Sequence, residues 1–325
     1  MRVFVAGATG AIGRPLVKEL VSRGHQVAAL ARSEENERVL RSLGAEPRRA
    51  DLFDASSLAK AAEGAEAVIR TATHIPTSTK PKGSDWATND RIRRDGTRAL
   101  LEAAAKVGAR HYLQESITWL ARPNDGRPFT ESSPPNTDRI TASALDAERI
   151  AETEGERLGL KVTTLRLGFL YGPEAAHLRG MAQGLKARRV PIVGKGDTPI
   201  GFLHLDDAAT AFAAALEGGV PGLWHVVDDR PVPAGEFFEE FARRLGAPKP
   251  MHVPVWLARL AAGEAAVKML TVPTVTSSAP FRTATGWAPR YPTIREGLAQ
   301  MEQAWRAEGF LGLSRLEAAA PVAGR

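Results

Sequence analysis

The chain has 325 residues, of which 43% are hydrophobic and 25% are charged, as in an ordinary soluble globular protein with one large core or one α/β domain plus a smaller lobe. It contains no cysteine, which excludes disulfides, thiolate metal sites and cysteine nucleophiles. The formal net charge of +6 comes from arginines scattered over many predicted helices without an interleaved aromatic platform, so we expect no nucleic-acid partner.

The N-terminal stretch has the pattern of a dinucleotide-binding turn. Residues 2–6 form a short apolar run, glycines follow at positions 7, 10 and 13, and apolar residues then recur at helical spacing. Such glycines let the backbone turn sharply and approach a ligand closely, and the start of the following helix attracts an anion such as a pyrophosphate. We therefore predict a dinucleotide site rather than an ordinary strand–helix turn, formed by Gly7, Thr9, Gly10, Ala11, Ile12 and Gly13.

A second buried strand, predicted at residues 26–30, leads to Arg32. An acidic residue at this distance accepts hydrogen bonds from the ribose 2′-OH of NAD, whereas a basic residue favours the 2′-phosphate of NADP. We predict NADP, with NAD as the alternative cofactor and a surface role as the alternative for Arg32.

The chain continues as alternating strands and helices. Further strands are predicted at 67–69, 111–114 and 162–167, and helices at 34–43, 88–107 and 137–158. Ligands of an open parallel sheet bind outside the carboxyl ends of its strands, which predicts further cofactor contacts from Asp51, Leu52, Thr71 and Ala72. Beyond residue 168 the alternation weakens. The predicted organisation is a dinucleotide-binding core at 1–168, a smaller lobe at 169–305 and a tail at 306–325.

These motifs resemble the extended short-chain dehydrogenase/reductase family, in its NAD-dependent epimerase/dehydratase group. Besides the glycine turn, the matches are Asp51-Leu52, Gly96-Thr97, Ser116, Arg166, Tyr171-Gly172-Pro173, His204 with Asp206-Asp207, and Gly286-Trp287. The resemblance implies an α/β fold, a Rossmann-type doubly wound parallel sheet with a smaller C-terminal substrate lobe, and a nicotinamide cofactor across the strand ends. It also implies a homodimer formed through helices 88–107 and 137–158.

The catalytic segment departs from the family pattern. Aligning the family's frequent Glu with Glu148 puts Ile140 where relatives have the catalytic tyrosine and Ala144 where they have the lysine. In relatives the lysine lowers the pKa of the tyrosine and holds the ribose, and the phenol relays a proton. Isoleucine and alanine can do neither, so Ser116 and Thr118 remain as the predicted catalytic residues.

The hydroxyl of Ser116, at the family's serine position, could bond a substrate oxygen or simply be satisfied at a strand end. Ile117 and Thr118 stand where related dehydratases have Asp-Glu, which argues against dehydration. Arg93 stands where relatives often have Asn; it could hold a carboxylate or phosphate, but a solvated helix-face arginine is the favoured interpretation. Glu115 is interpreted as structural. Other proton donors considered are Asp138, Thr141, Ser143, Asp146 and His74.

Two functions remain open. The first is an atypical NADP-dependent oxidoreductase or epimerase/isomerase acting on a small carbonyl-type substrate. The second is a non-catalytic NADP-sensing regulator similar to the NmrA-like proteins. The sequence has no residues at the spacing typical of metal ligands. The first strand leaves no room for a signal peptide and no apolar run is long enough to span a bilayer, so we expect a cytoplasmic protein that does not use a membrane.

Overall fold

The computed structural model describes residues 1–76 and 82–311; part of the predicted tail, 312–325, lies outside them. The strands in this part of the chain are β1 Arg2–Ala6, β2 Gln26–Ala31, β3 Glu46–Arg49, β4 Ala67–Arg70, β5 His111–Ile117, β6 Lys161–Leu167, β7 Phe169–Tyr171, β8 Ile192–Val193, β9 Pro199–Ile200, β10 Phe202–His204, β11 Gly222–Val226, β12 Val232–Pro233 and β13 His252–Val253. Its α-helices are α1 Gly13–Ser22, α2 Glu34–Ser42, α3 Ala55–Ala61, α4 Ala87–Arg91, α5 Thr97–Lys106, α6 Ala142–Arg157, α7 Ala176–Lys186, α8 Leu205–Gly218, α9 Ala234–Arg244, α10 Val255–Ala262, α11 Glu264–Thr271, α12 Ala279–Thr285 and α13 Ile294–Ala307.

Seven of these strands form one parallel sheet in the order β11-β6-β5-β4-β1-β2-β3. Strand order reverses between β1 and β4, where Ala6 lies opposite Arg70. Because each parallel connection crosses over through a helix, both faces of the sheet are covered. The predicted doubly wound Rossmann-type sheet is confirmed, and its ligand crevice is expected outside the carboxyl ends of β1 and β4.

Burial explains why the central strands are nearly continuous apolar runs. Residues 3–6 of β1 are at most 1% exposed, and the first three residues of β4 are fully buried. On one side of the sheet they pack against α1 and α8, and on the other against α3 and α5. Helix α1 is amphipathic, with Leu16, Val17 and Leu20 at helical spacing and fully buried.

The second half of the chain is interleaved with the first. Strand β11 returns to the main sheet and pairs with β6, while β7 and β10 form a separate parallel pair. The rings of Phe202 and Phe237 stack with their centroids 4.5 Å apart, and Trp305 of α13 is fully buried. Helix α13 continues to Ala307, so the predicted tail boundary at 306 falls inside it.

Two helices differ from their predicted form. Helix α6 begins at Ala142 instead of 137, because the Asp138 carboxylate accepts hydrogen bonds from the backbone N–H groups of Ile140 and Thr141, both at 3.0 Å, and holds a separate turn. The predicted helix 88–107 is interrupted by a π-helical turn at Ile92–Gly96. Such a turn alters the direction of the side chains it carries and is frequent at functional sites. No helix in the described ranges is long and apolar enough to cross a membrane.

Candidate cofactor and substrate site

The turn after β1 is packed so closely that only glycine fits at two positions. A Cβ on Gly7 would lie 2.4 Å from the backbone nitrogen of Ala72, and one on Gly13 would lie 2.0 Å from the carbonyl oxygen of Gly7. Gly7 also has a φ of +98°, which favours glycine. The turn is therefore pressed against the end of β4 on one side and against the start of α1 on the other.

The outer side of the same turn is open. Gly10 is exposed, and a Cβ there would meet only the Gly7 carbonyl, at 3.2 Å. The backbone N–H groups of Ala11 and Ile12 have no hydrogen-bond partner among the described residues. Free N–H donors at the start of a helix are suited to an anion, so the residues present fit the pyrophosphate of a dinucleotide.

The remaining predicted cofactor residues follow the carboxyl ends of neighbouring strands. Arg32 comes directly after β2, is exposed, and makes no hydrogen bond or ion pair with any residue that the structure describes. Asp51 follows β3, and its Oδ1 accepts from the N–H of Phe53 at 2.9 Å. Leu52 packs beside Gly96. After β4, the N–H of Thr71 donates to the carbonyl of Ala6 at 2.8 Å. The roles assigned to these residues stay predictions.

Ser116 belongs to a buried, charged cluster. Its hydroxyl donates to Oε1 of Glu148 at 2.5 Å. The Arg166 guanidinium holds both carboxylate oxygens of Glu148, with Nε to Oε1 at 2.9 Å and Nη2 to Oε2 at 2.7 Å. All three side chains are less than 8% exposed. A bidentate, charge-assisted pair is rigid, so Glu148 fixes the direction of the Ser116 hydroxyl, whose hydrogen points to the carboxylate.

The other residues around the expected catalytic position offer little acid–base chemistry. Ala144 is buried in the first turn of α6, with Ile140 just before it. The hydroxyls of Thr118 and Ser143 are buried and have no partner in the described parts of the chain. The Tyr112 phenol, on the strand of Ser116, is fully buried near Arg70 and Thr97, and burial raises its pKa. That phenol is closed off from a substrate.

The other proton donors considered are engaged elsewhere or lie at the surface. Asp138 holds the turn before α6, and Asp146 bonds Nε of Arg94 at 2.7 Å. The His74 side chain is exposed, while its backbone N–H donates to Oδ1 of Asn89 at 2.8 Å. In the lobe, Nδ1 of His204 accepts from the N–H of Asp206 at 3.2 Å and caps α8.

Arg70 is a fully buried arginine that the sequence reasoning missed. Its Nη1 donates to the carbonyl of Ala72 at 3.2 Å and lies 3.4 Å from Oε1 of Glu115. Its Nη2 donates to Oε1 of Gln114 at 3.3 Å and to the Glu115 carbonyl at 3.1 Å. The sequence signal that could have revealed Arg70 is its place as the charged last residue of the otherwise apolar strand β4. Arg70 therefore links the end of β4 to β5.

The expectation of a solvated Arg93 is wrong. Arg93 is only 3% exposed, because it lies in the π-helical turn and points into the molecule. It makes no hydrogen bond or ion pair within the described ranges. Burial lowers the pKa of Arg93, and the nearby carboxylate of Glu115 opposes that shift.

The fold and the glycine turn agree with the comparison of this chain with known proteins. Residues 3–226 match the family described as the NAD dependent epimerase/dehydratase family, and the chain belongs to that family. It is 36% identical to a Streptomyces protein named 3-diazoavenalumate denitrifying reductase, over 92% of this chain and 100% of that relative. It is 27% identical to a 2-alkyl-3-oxoalkanoate reductase of Stenotrophomonas maltophilia, over 77% of each.

Solved structures agree on the fold. The human epimerase family protein SDR39U1, solved with NADPH, superposes with a TM-score of 0.76 at 20% identity, covering 93% of this chain and 99% of that one. The UDP-glucose 4-epimerase of Thermus thermophilus, in complex with NAD, gives a TM-score of 0.74 at 24% identity, covering 94% and 100%. These similarities support the sheet and the lobe.

Proposed function

We propose that this chain is an NADP-dependent reductase that delivers a hydride to a small electrophile whose reduction needs no phenolic proton donor. The proposal rests on Ile140 and Ala144, which the family resemblance aligns with the tyrosine and lysine of relatives, and on the closely packed glycine turn after β1. Reduction of a ketone leaves an alkoxide that must be protonated, and epimerisation also uses an acid–base group. Hydride transfer itself needs only correct placement of donor and acceptor.

The cofactor would be held by the residues already described. When bound, NADPH supplies the hydride from its nicotinamide ring. The free N–H groups of Ala11 and Ile12 would bind its pyrophosphate, and the unpaired guanidinium of Arg32 would bind the 2′-phosphate. Thr71 and Ala72 would border the cofactor at the end of β4. Arg32 supports NADP over NAD because its position offers a cation and no carboxylate.

The 36% identical relative is named for a diazo compound, and we take aryl diazo compounds as the acceptor class to test. A hydride that adds to the terminal nitrogen of an aryl diazonium ion forms an N–H bond and a neutral aryldiazene, with NADPH oxidised to NADP⁺. The aryldiazene then loses N₂: the C–N bond breaks and the hydrogen passes to the ring carbon. Atoms and charge balance without an added proton. Such a substrate suits a site without a phenol.

Purified protein with NADPH and three acceptors of different class would test this proposal: para-methylbenzenediazonium, cinnamaldehyde and acetophenone. We expect NADPH oxidation with N₂ release from the diazonium salt and no reduction of acetophenone. Gly13→Ala, which closes the glycine turn, is the control that subtracts the uncatalysed reaction of diazonium salts with NADPH. Turnover of the ketone alone would contradict the proposal.

The regulator remains the second candidate, because a site without tyrosine and lysine also suits a protein that only binds the cofactor. Calorimetric titration with NADP⁺ and NADPH separates the two functions. Binding of the cofactor with no turnover of any acceptor supports the regulator.

The homodimer through the α4–α5 segment and α6 is part of the proposal, and sedimentation velocity of the purified protein tests it.

A further inference from the structure

Arg93 is a buried positive charge without a protein partner. Its electrostatic neighbours are Arg70, Asp90, Glu115 and Glu148, and none of them lies within ion-pair distance of it in the described residues. Glu115 is already paired with Arg70, and Glu148 is held on both oxygens by Arg166. Burying an unpaired guanidinium is costly, and a charge that is retained under these conditions suggests a ligand that pairs with it.

The nitrogens of Arg93 keep some solvent-accessible surface, although the residue is only 3% exposed. Nε of Arg70 and Nη1 of Arg166 are sealed from solvent and unpaired, whereas no nitrogen of Arg93 is sealed in this way. The next residue, Arg94, points to the other side of the turn and binds Asp146 of α6. The π-helical turn thus directs one arginine to the surface and its neighbour towards the buried carboxylates of Glu115 and Glu148.

A second unpaired donor, four residues before Arg93, is enclosed by the protein. Asn89 is fully buried; its Oδ1 accepts from the N–H of His74, and its Nδ2 has no partner in the described part of the chain. The His74 N–H needs an acceptor, which fixes the orientation of the amide. The amide nitrogen is sealed from solvent, so it cannot meet a ligand in this arrangement, whereas the nitrogens of Arg93 keep some accessible surface.

We propose that Arg93 forms a subsite for a carboxylate of the substrate. The phosphates of a dinucleotide already have donors at the glycine turn and at Arg32, which lie at other strand ends. The planar guanidinium fork matches a carboxylate, and one unpaired cation balances a monoanion. Glu115 and Glu148 nearby disfavour the double negative charge of a phosphate. The substrate would be a small electrophile that carries a carboxylate.

The carboxylate subsite rests on the proposed reductase function, because that function supplies the substrate. Ligand binding can nevertheless be measured without turnover. Protein saturated with NADP⁺ is titrated calorimetrically with cinnamate and with its neutral analogue cinnamamide. We expect cinnamate to bind at least about tenfold more tightly, as a charge-assisted pair gives. Arg93→Met should abolish that preference, and Arg94→Met, on the same turn, should preserve it.

Thermal melting separates a ligand-binding arginine from a structural one. Arg93→Met removes an unpaired buried charge, so the ligand-free variant should melt at or above the temperature of the wild type. A clearly lower melting temperature would assign Arg93 to the fold and overturn the subsite. Equal binding of cinnamate and cinnamamide, no binding of cinnamate, or a preference that survives Arg93→Met would also overturn it.

Turnover distinguishes the two proposals from each other. Diazonium probes with a para-carboxylate and with a para-methyl group are compared at limiting concentration. Reduction of both at equal efficiency overturns the subsite and leaves the reductase. Cinnamate binding that depends on Arg93, without turnover of any probe, overturns the reductase and supports the subsite.

Discussion

At the scale of single residues, the site combines paired and unpaired charges. Glu148 is surrounded by donors, with Ser116 and Arg166 both bound to it, while Arg32 and Arg93 have no partner among the described residues. A buried pair contributes rigidity, and losing one member leaves the other charge uncompensated. Unpaired cations are instead ready to bind anions. The two kinds of residue therefore respond differently to mutation.

Glu148→Gln should destabilise the protein, because Arg166 would be left as a buried, unpaired charge. We expect a loss of about 3 kcal/mol in the free energy of unfolding, measured by urea denaturation. Glu154→Gln is the matched control on the same helix. Its pair with Arg157 is largely exposed, so that change should cost less than about 1 kcal/mol. Equal effects of the two substitutions would show that the buried cluster is not a stabilising unit.

Arg32→Glu should change cofactor preference. The new carboxylate would repel the 2′-phosphate of NADP and could accept hydrogen bonds from the ribose of NAD. We expect the affinity for NADP to fall by roughly tenfold to a hundredfold and that for NAD to be kept or improved, as measured by calorimetry. Arg38→Glu, at an exposed position of α2, changes the net charge by the same amount. It therefore controls for the effect of net charge on the affinity for NADP. A similar loss in both variants would argue against a 2′-phosphate contact.

At the scale of elements, the sequence predicted the strands and the glycine turn because their signals are local. An apolar run followed by glycines at 7, 10 and 13 has few alternative structures. The direction of Arg93 could not be predicted, since it depends on a π-helical turn that no residue pattern announces. The late start of α6 was missed for a similar reason: the Asp138 side chain competes with the helix for backbone N–H groups.

The contact between the glycine turn and α1 can be tested by adding one methyl group. Gly13→Ala puts a Cβ 2.0 Å from a backbone oxygen, so α1 must move away from the turn. We expect a loss of about 1–3 kcal/mol in stability and a loss of dinucleotide binding. Gly180→Ala in α7 meets nothing within 4 Å and should instead stabilise by about 0.5–1 kcal/mol. Full cofactor affinity in Gly13→Ala would refute cofactor binding at the glycine turn.

At the scale of the whole molecule, the lobe is joined to the sheet through β11 and the buried His225. Nδ1 of His225 lies 2.6 Å from the Thr276 hydroxyl, and its Nε2 is buried without a partner in the described ranges. Burial, aided by the charge of Arg166, lowers the pKa of His225 from 6.5 to about 3. The folded protein therefore keeps this ring neutral at pH values where the unfolded chain protonates it.

This linkage has a definite sign. Between pH 6.5 and about 3 the unfolded state binds a proton that the folded state does not, so the contribution of His225 to stability falls as the pH falls. Relative to His225→Asn, the wild type should lose about 1.4 kcal/mol per pH unit well below pH 6.5. Urea unfolding of both proteins at several pH values measures the difference. A difference that does not change with pH would contradict a neutral buried ring.

The return of β11 to the edge of β6 has a consequence for any attempt to divide the protein. A fragment ending near residue 168 would expose the hydrogen-bonding groups of β6 as a bare edge, which invites pairing with other chains. We expect such a fragment to aggregate unless a peptide containing residues 222–226 is supplied in trans. We therefore expect the nucleotide-binding half and the lobe to fold together, so a lobe transplanted from a relative would have to bring its own counterpart of β11.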